Sequence, residues 1–183
     1  MLASTGPLPS GPGWSYEFKW DGIRAIAVIS AGTTRLYARS GVEVTAAYPE
    51  LAAIGEGLDD TVLDGEVVTM DEAGRPSFQL LAERMHVREP VRAARLAATV
   101  PVSYLAFDVL RSAGREALAT PYTSRRRLLE GLALGPRAVI PSSNDGGMTA
   151  RGPSGSPSRR RRRLVYDVAT SSLPADRSTS KAR

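Results

Sequence analysis

Cysteine is absent from the 183-residue sequence, which excludes disulfides, thiolate zinc sites and cysteine nucleophiles. Histidine occurs once, at His86. No G-x-S-x-G elbow accompanies it to support a Ser-His-Asp triad, so a surface or capping role is expected. Neither G-x-x-x-x-G-K-[ST] nor G-x-G-x-x-G is present, which removes P-loop and dinucleotide-binding folds from consideration. No apolar run approaches the ~20 residues needed to cross a bilayer, so no membrane partner is expected. The opening MLASTGPLPSGPGW has neither a basic n-region nor an apolar h-region, so no signal peptide is expected and the compartment expected is the cytoplasm.

Lysine is nearly absent as well. Of 24 basic residues only Lys19 and Lys181 are lysines. The chain uses arginine almost everywhere, together with much Ala, Gly and Pro, as a GC-rich gene would encode. A lone lysine in the first 150 residues suggests a position where arginine cannot serve, because only lysine readily loses its proton to become a nucleophile. Chance is the competing explanation, since one surface lysine needs no cause. The net charge of +5 is unevenly spread: residues 1–150 carry 15 basic and 17 acidic groups, residues 151–183 nine and two. The basic balance therefore belongs to the tail and says little about nucleic-acid binding by the rest.

Alternation and turn residues predict strands at Tyr16–Trp20, Ile23–Ser30, Thr33–Arg39, Thr61–Met70 and Val102–Leu110, with Ala31-Gly32, Asp71–Gly74 and Ser112–Gly114 as turns. Helical spacing predicts helices at Tyr48–Leu58, at Phe78–His86 with Ser77 as N-cap, at Arg88–Thr99 and at Tyr122–Leu134. Arg137–Pro141 reads as one more strand. Strands and helices do not alternate regularly, so the fold class is α+β with a largely antiparallel sheet flanked by helices. Residues 142–183 are rich in Ser, Gly, Pro and Arg and are expected to be disordered, leaving 1–141 as the domain.

The segment carrying most information is Lys19-Trp20-Asp21-Gly22-Ile23-Arg24, between two predicted strands. Gly22 lets the chain bend there, and the bend can bring Lys19 and Arg24 to one pocket. K-x-D-G-x-R resembles motif I of the covalent nucleotidyltransferases, which include ATP-dependent DNA ligases and messenger-RNA capping enzymes. The longer string Tyr16-Glu17-Phe18-Lys19-Trp20-Asp21-Gly22-Ile23-Arg24-Ala25 is similar to that of bacterial end-joining ligases. Further on, Arg39-Ser40-Gly41 resembles the R-x-G element, Asp64-Gly65-Glu66 motif III, and Tyr104–Leu110, containing Phe107, motif IIIa. Four matches in the family's order are far more specific than any one.

The resemblance implies a partial ligase-type adenylation domain. Lys19 would attack the α-phosphate of ATP to form lysyl-AMP. Glu17, Asp21, Gly22, Arg24, Arg39, Glu66 and Phe107 would contact the nucleotide, Glu66 at the ribose and Phe107 on adenine. Magnesium would accompany ATP, no residue of the chain being assigned to it, and the partner would be nicked or broken DNA. The chemistry is consistent: a lysine amine with a pKa of about 10.4 is inert at neutral pH until cationic neighbours and desolvation lower that value. Taken singly, each residue has a plainer role. Asp21-Gly22 and Asp64-Gly65 make ordinary turns, Phe107 fills a core, Glu66 faces solvent, and Arg39 makes a surface ion pair.

The sequence also departs from the family pattern. Motif IV, E-G-[LV]-[VM]-x-K, does not occur; Leu164-Val165-Tyr166-Asp167 is the nearest string. With no lysine between Lys19 and Lys181, motif V has no counterpart. The expectation is a chain cut off after motif IIIa, also lacking the OB-fold that usually follows, with an arginine-rich tail such as a shifted reading frame would give. Its ligase chemistry is expected to be weak or lost. Two alternatives stay open. One is a catalytically inactive nucleotide- or nucleic-acid-binding fragment, with Arg159–Arg163 making non-specific contacts to nucleic acid. The other is an RNA-capping-type guanylyltransferase.

Overall fold

The computed structural model describes residues 14–142, together with the backbone of two short segments at 144–145 and 166–170; the side chains at positions 14 and 16 lie outside what it describes. In chain order the strands are β1 Trp14–Phe18, β2 Ile23–Ser30, β3 Thr33–Ala38, β4 Thr61–Thr69, β5 Val102–Ser112, β6 Arg115–Glu116, β7 Ala138–Val139, β8 Asn144–Asp145 and β9 Tyr166–Thr170. The helices are α1 Phe78–Ala82, α2 Pro90–Thr99 and α3 Tyr122–Glu130. The main sheet has the order β3-β2-β4-β5-β6, all antiparallel, with β7 adding a parallel pairing to β5. A second sheet places β1 between β8 and β9. The α+β class with largely antiparallel sheets is thus observed.

Turn chemistry fixes the hairpins. Ala31 and Gly32 both have positive φ, 46° and 73°, as a two-residue turn matching strand twist requires, and β2 then pairs with β3 from Ser30↔Thr33 to Ala25↔Ala38. Alternation along β2 sends Ala25, Ala27 and Ile29 into the core, where they meet Leu36 of β3, Leu63 and Val67 of β4, and Tyr104, Ala106 and Val109 of β5. The opposite face of β2 carries Arg24, Ile26 and Val28.

Several sequence expectations are corrected. The helix expected at Tyr48–Leu58 is two 3-10 turns, Thr45–Ala47 and Pro49–Gly55. At three residues per turn, Tyr48, Leu51 and Ile54 form one buried line, and the Gly55 N–H donates to Thr34 Oγ1 at 3.2 Å. The helix expected to reach His86 ends at Ala82, because Arg84 turns inward and His86 takes a left-handed conformation at φ 65°. The last helix stops at Glu130, four residues short of Leu134. The strand expected at Arg137–Pro141 contracts to β7, and the first strand is shifted to β1. Beyond Pro141 the backbone of β8 and β9 pairs with β1; the remainder of 143–183, including Arg159–Arg163, lies outside the described residues.

Arg84 is wholly buried. Its Nη1 donates to Glu50 Oε1 and the Val100 carbonyl, both at 2.7 Å, and its Nη2 to the Ala47 carbonyl at 2.7 Å and Glu50 Oε2 at 3.0 Å. Glu50 Oε1 also accepts the Val102 N–H at 3.1 Å. One ion pair thus joins the 3-10 segment, the turn after α1 and the start of β5.

Candidate nucleotide site

The site forms where the chain passes from β1 to β2. Lys19 and Asp21 are exposed on this bend. Gly22 presses against β4: a Cβ there would lie 2.4 Å from the Val67 carbonyl oxygen and 2.7 Å from Glu66 Cγ. The Gly22 N–H is hydrogen-bonded to the Glu66 carboxylate, and Arg24 stands in register with Glu66 across the β2–β4 ladder. The K-x-D-G-x-R and D-G-E segments, more than forty residues apart in sequence, are therefore in contact.

Charge is distributed unequally within the cluster. Arg24 Nε donates to Asp64 Oδ1 at 2.9 Å, and its Nη2 donates to Asp64 Oδ2, a two-point fork that fixes the guanidinium plane. The Arg24 Cζ sits 5.8 Å from the centroid of the Phe107 ring, within cation–π range. Glu66 is pushed up to about 7, chiefly by burial; the charges of Lys19 and Arg24 and the Gly22 N–H act against this, and Asp64 adds to it. Lys19, Gly22, Arg24, Glu66 and Phe107 are thus brought together.

Arg39 approaches from β3. Gly41, at φ 80°, turns the chain so that its N–H donates to the Ala38 carbonyl at 2.8 Å, leaving Arg39 at the strand end. Arg24, Ile26, Val28, Tyr37 and Arg39 line one open cavity of about 650 Å3, large enough for a nucleotide-sized ligand. Glu17 is turned elsewhere: the Tyr122 hydroxyl donates to its Oε1 at 2.6 Å and Arg126 Nη1 lies 3.3 Å from the same oxygen. Its carboxylate is engaged by α3.

Three contributors escaped the sequence reading. Asp64 belongs to the motif III string but carries no role of its own in the sequence, although a carboxylate two residues from Glu66 on one strand shares its face. Tyr104 is fully buried, its hydroxyl 3.0 Å from the Ala25 carbonyl oxygen and 3.2 Å from that of Leu63; burial raises its pKa well above the ordinary value. Its ring covers Gly65, where a Cβ would lie 2.5 Å from Tyr104 Cζ. Asp108 accepts from Arg125 Nε and Nη2, both at 2.8 Å, which anchors α3 behind Phe107. The register Asp64↔Asp108 places two carboxylates side by side, each neutralised by its own arginine.

No group of three or more His, Cys, Asp or Glu suited to a metal ion occurs among the described residues. Magnesium commonly arrives with nucleotide phosphates and needs few protein ligands, but the donor set provides no cage for it. Among the described residues, no helix is long and apolar enough to cross a membrane.

Comparison with known proteins shows the family. The family described as "ATP dependent DNA ligase domain" matches residues 8–144. The multifunctional non-homologous end joining protein LigD of Mycobacterium bovis is 39% identical over 145 residues, covering 77% of this chain and 18% of that protein. A probable DNA ligase of Streptomyces avermitilis is 41% identical over 137 residues, covering 71% and 26%. Among solved structures, a mycobacterial DNA ligase D complexed with ATP and MES superposes with a TM-score of 0.59 at 36% identity, covering 75% of this chain and 46% of that one. The chain spans 18% and 26% of the length of these two relatives and 46% of the solved ligase. With a family match across most of its length, and motif I folded against motif III, the chain belongs to the ATP-dependent DNA ligase domain family.

Proposed function

We propose that residues 14–142 form the nucleotide-facing part of a DNA ligase site in which Lys19 takes up AMP from ATP for the sealing of DNA breaks. The observation that carries this is the meeting of Lys19, Arg24, Glu66 and Phe107 around the Gly22 bend. Phe107 offers its ring to the purine, Glu66 accepts from ribose hydroxyls, and Arg24 and Arg39 face the phosphates across the shared cavity. Asp21, exposed on the bend, adds a polar contact to the nucleotide, and Glu17 ties the strand before the bend to α3. The lysine nitrogen displaces pyrophosphate from the α-phosphorus, a transfer governed by in-line positioning and by neutralisation of the phosphate oxygens. Magnesium would add positive charge at those oxygens. A DNA substrate fits a cytoplasmic site of action.

The 183-residue chain carries only Lys19 and Lys181 as lysines, so the cations that hold the α-phosphate in this family have no lysine counterpart nearby. Charging of Lys19 by this chain alone is therefore slow, and nick closure absent. The test is incubation with α-labelled ATP and magnesium, followed by denaturing electrophoresis. Slow label that vanishes in Lys19→Ala and Lys19→Arg supports the assignment; rapid labelling with nick closure overturns the expected impairment. Competition by GTP in place of ATP would point to the guanylyltransferase alternative. The same lysine scarcity favours a second possibility, a nucleotide-binding fragment without catalysis, for which ATP binds and Lys19 stays unlabelled.

A further inference from the structure

A lysine ammonium carries no lone pair, so something must remove a proton before Lys19 can attack phosphorus. We propose that Glu66 is the proton acceptor that turns the Lys19 ammonium into a nucleophilic amine, an inference resting on Lys19 being the adenylylated residue. The geometry supplies the reasons. Gly22, three residues after Lys19, presses on Glu66 so closely that a Cβ there would lie 2.7 Å from Glu66 Cγ. The bend that carries Lys19 therefore lies on this carboxyl, and the Lys19 charge acts on it against the effect of burial. Arg24, the other nearby cation, has its guanidinium engaged in a two-point fork by Asp64. The remaining groups around Glu66 are Asp64 on its own strand, the Gly22 N–H from the bend, and from β5 the buried Tyr104 hydroxyl, which senses the Glu66 charge.

A carboxyl held at about 7 suits this task, because a base works best when its pKa lies near the working pH. A carboxylate has about four lone-pair positions, so the Gly22 N–H, a ribose hydroxyl and the Lys19 proton can share it. In the step itself, one proton passes from Lys19 Nζ to a Glu66 oxygen. The amine lone pair then forms the N–P bond as the bond from the α-phosphorus to the bridging oxygen breaks, its electron pair leaving with pyrophosphate. The nitrogen loses a second proton to water, giving a phosphoramidate with an uncharged nitrogen and one anionic phosphoryl oxygen.

Two readouts on the full chain decide the matter. In single-turnover labelling at saturating ATP, the rate of Lys19–AMP formation rises with pH through about 7 and then levels. In Glu66→Gln it falls roughly a hundred-fold and loses that levelling, while Glu66→Asp keeps the profile at reduced rate. If Glu66→Gln merely needs more ATP and keeps the wild-type rate and profile at saturation, Glu66 is a ribose contact and the proposal is overturned. The second readout needs no ATP: competitive acetylation followed by mass spectrometry, with Lys181 as internal reference. Lys19 reactivity relative to Lys181 shows a step near neutral pH in the wild type and in Glu66→Asp, and none in Glu66→Gln. Absence of the step in the wild type overturns the proton link. A step without any Lys19–AMP overturns the ligase chemistry and leaves the proton link standing.

Discussion

Gly22 lies so close to β4 that a Cβ on it would stand 2.7 Å from Glu66 Cγ and 2.4 Å from the Val67 carbonyl oxygen. The nearest obstacle is backbone, which cannot swing aside as a side chain can. Gly22→Ala is therefore expected to destabilise the fold by roughly 1–3 kcal/mol, as forced overpacking does. It should also push the Lys19 bend away from Glu66. Denaturant unfolding checks the first effect, and loss of ATP-dependent labelling in protein that remains folded checks the second.

Asp64 holds Arg24 by two hydrogen bonds, and Asp64→Asn replaces one acceptor and removes the counter-charge. The Arg24 side chain is 36% exposed, so water screens much of the loss and the stability cost is expected near 1 kcal/mol, well below that of a fully buried pair. The larger effect is expected on nucleotide binding, because the guanidinium is no longer fixed beside Phe107. Asp64 also raises Glu66, so the same variant lowers the pH at which that carboxyl ionises. Calorimetric titration with ATP and a carbon-13 titration of the glutamate carboxyls test the two effects.

Glu66 makes stability depend on pH in an unusual direction. Its folded-state value of about 7 lies above the ordinary 4.5, so between those pH values the folded chain binds more protons than the unfolded chain. Stability contributed by this group is complete below about 4.5, falls as pH rises, and is lost above about 7. Glu66→Gln is expected to be more stable than wild type at pH 8 and to close on it as pH falls towards 5. Thermal unfolding of both proteins across pH 5–8 measures this; a wild-type advantage at pH 8 would count against burial as the cause.

Much of this site was legible in sequence because its residues come in short motifs on strands, where spacing dictates facing. Arg24 and the core residues Ala25, Ala27 and Ile29 follow from alternation alone, and Ala31-Gly32 declared its turn. Contacts between motifs were not legible. Nothing in Asp64-Gly65-Glu66 announces that Asp64 clamps Arg24, because that depends on strand register. The contacts of Glu17 were hidden for the same reason: its motif neighbours suggest the nucleotide, and only the fold brings Tyr122 and Arg126 of α3 to its carboxylate. The 3-10 turns at Thr45–Gly55 were hidden because apolar residues three apart fit an α-helix almost as well.

Arg84 and Glu50 lend themselves to a double-mutant cycle. Arg84→Ala strands a Glu50 carboxylate that is only 10% exposed, and is expected to cost about 3–5 kcal/mol. Replacing both, as Arg84→Met with Glu50→Gln, should cost less than the sum of the two single changes. Additive costs in denaturant melts would mean that the pair is not coupled.

That guanidinium has a kinetic consequence as well. It bonds at once to the carbonyls of Ala47 and Val100 and to both oxygens of Glu50, and Glu50 in turn holds the Val102 amide. No one of these segments can open without stripping partners from the others around the buried Arg84. The amide protons of Ala47, Tyr48, Glu50, Arg84, Val100 and Val102 should therefore exchange with solvent deuterium as one cooperative unit. The exposed Lys19 bend lies outside that unit and should exchange early, so the nucleotide-facing loop can rearrange without loosening the framework on which it is mounted.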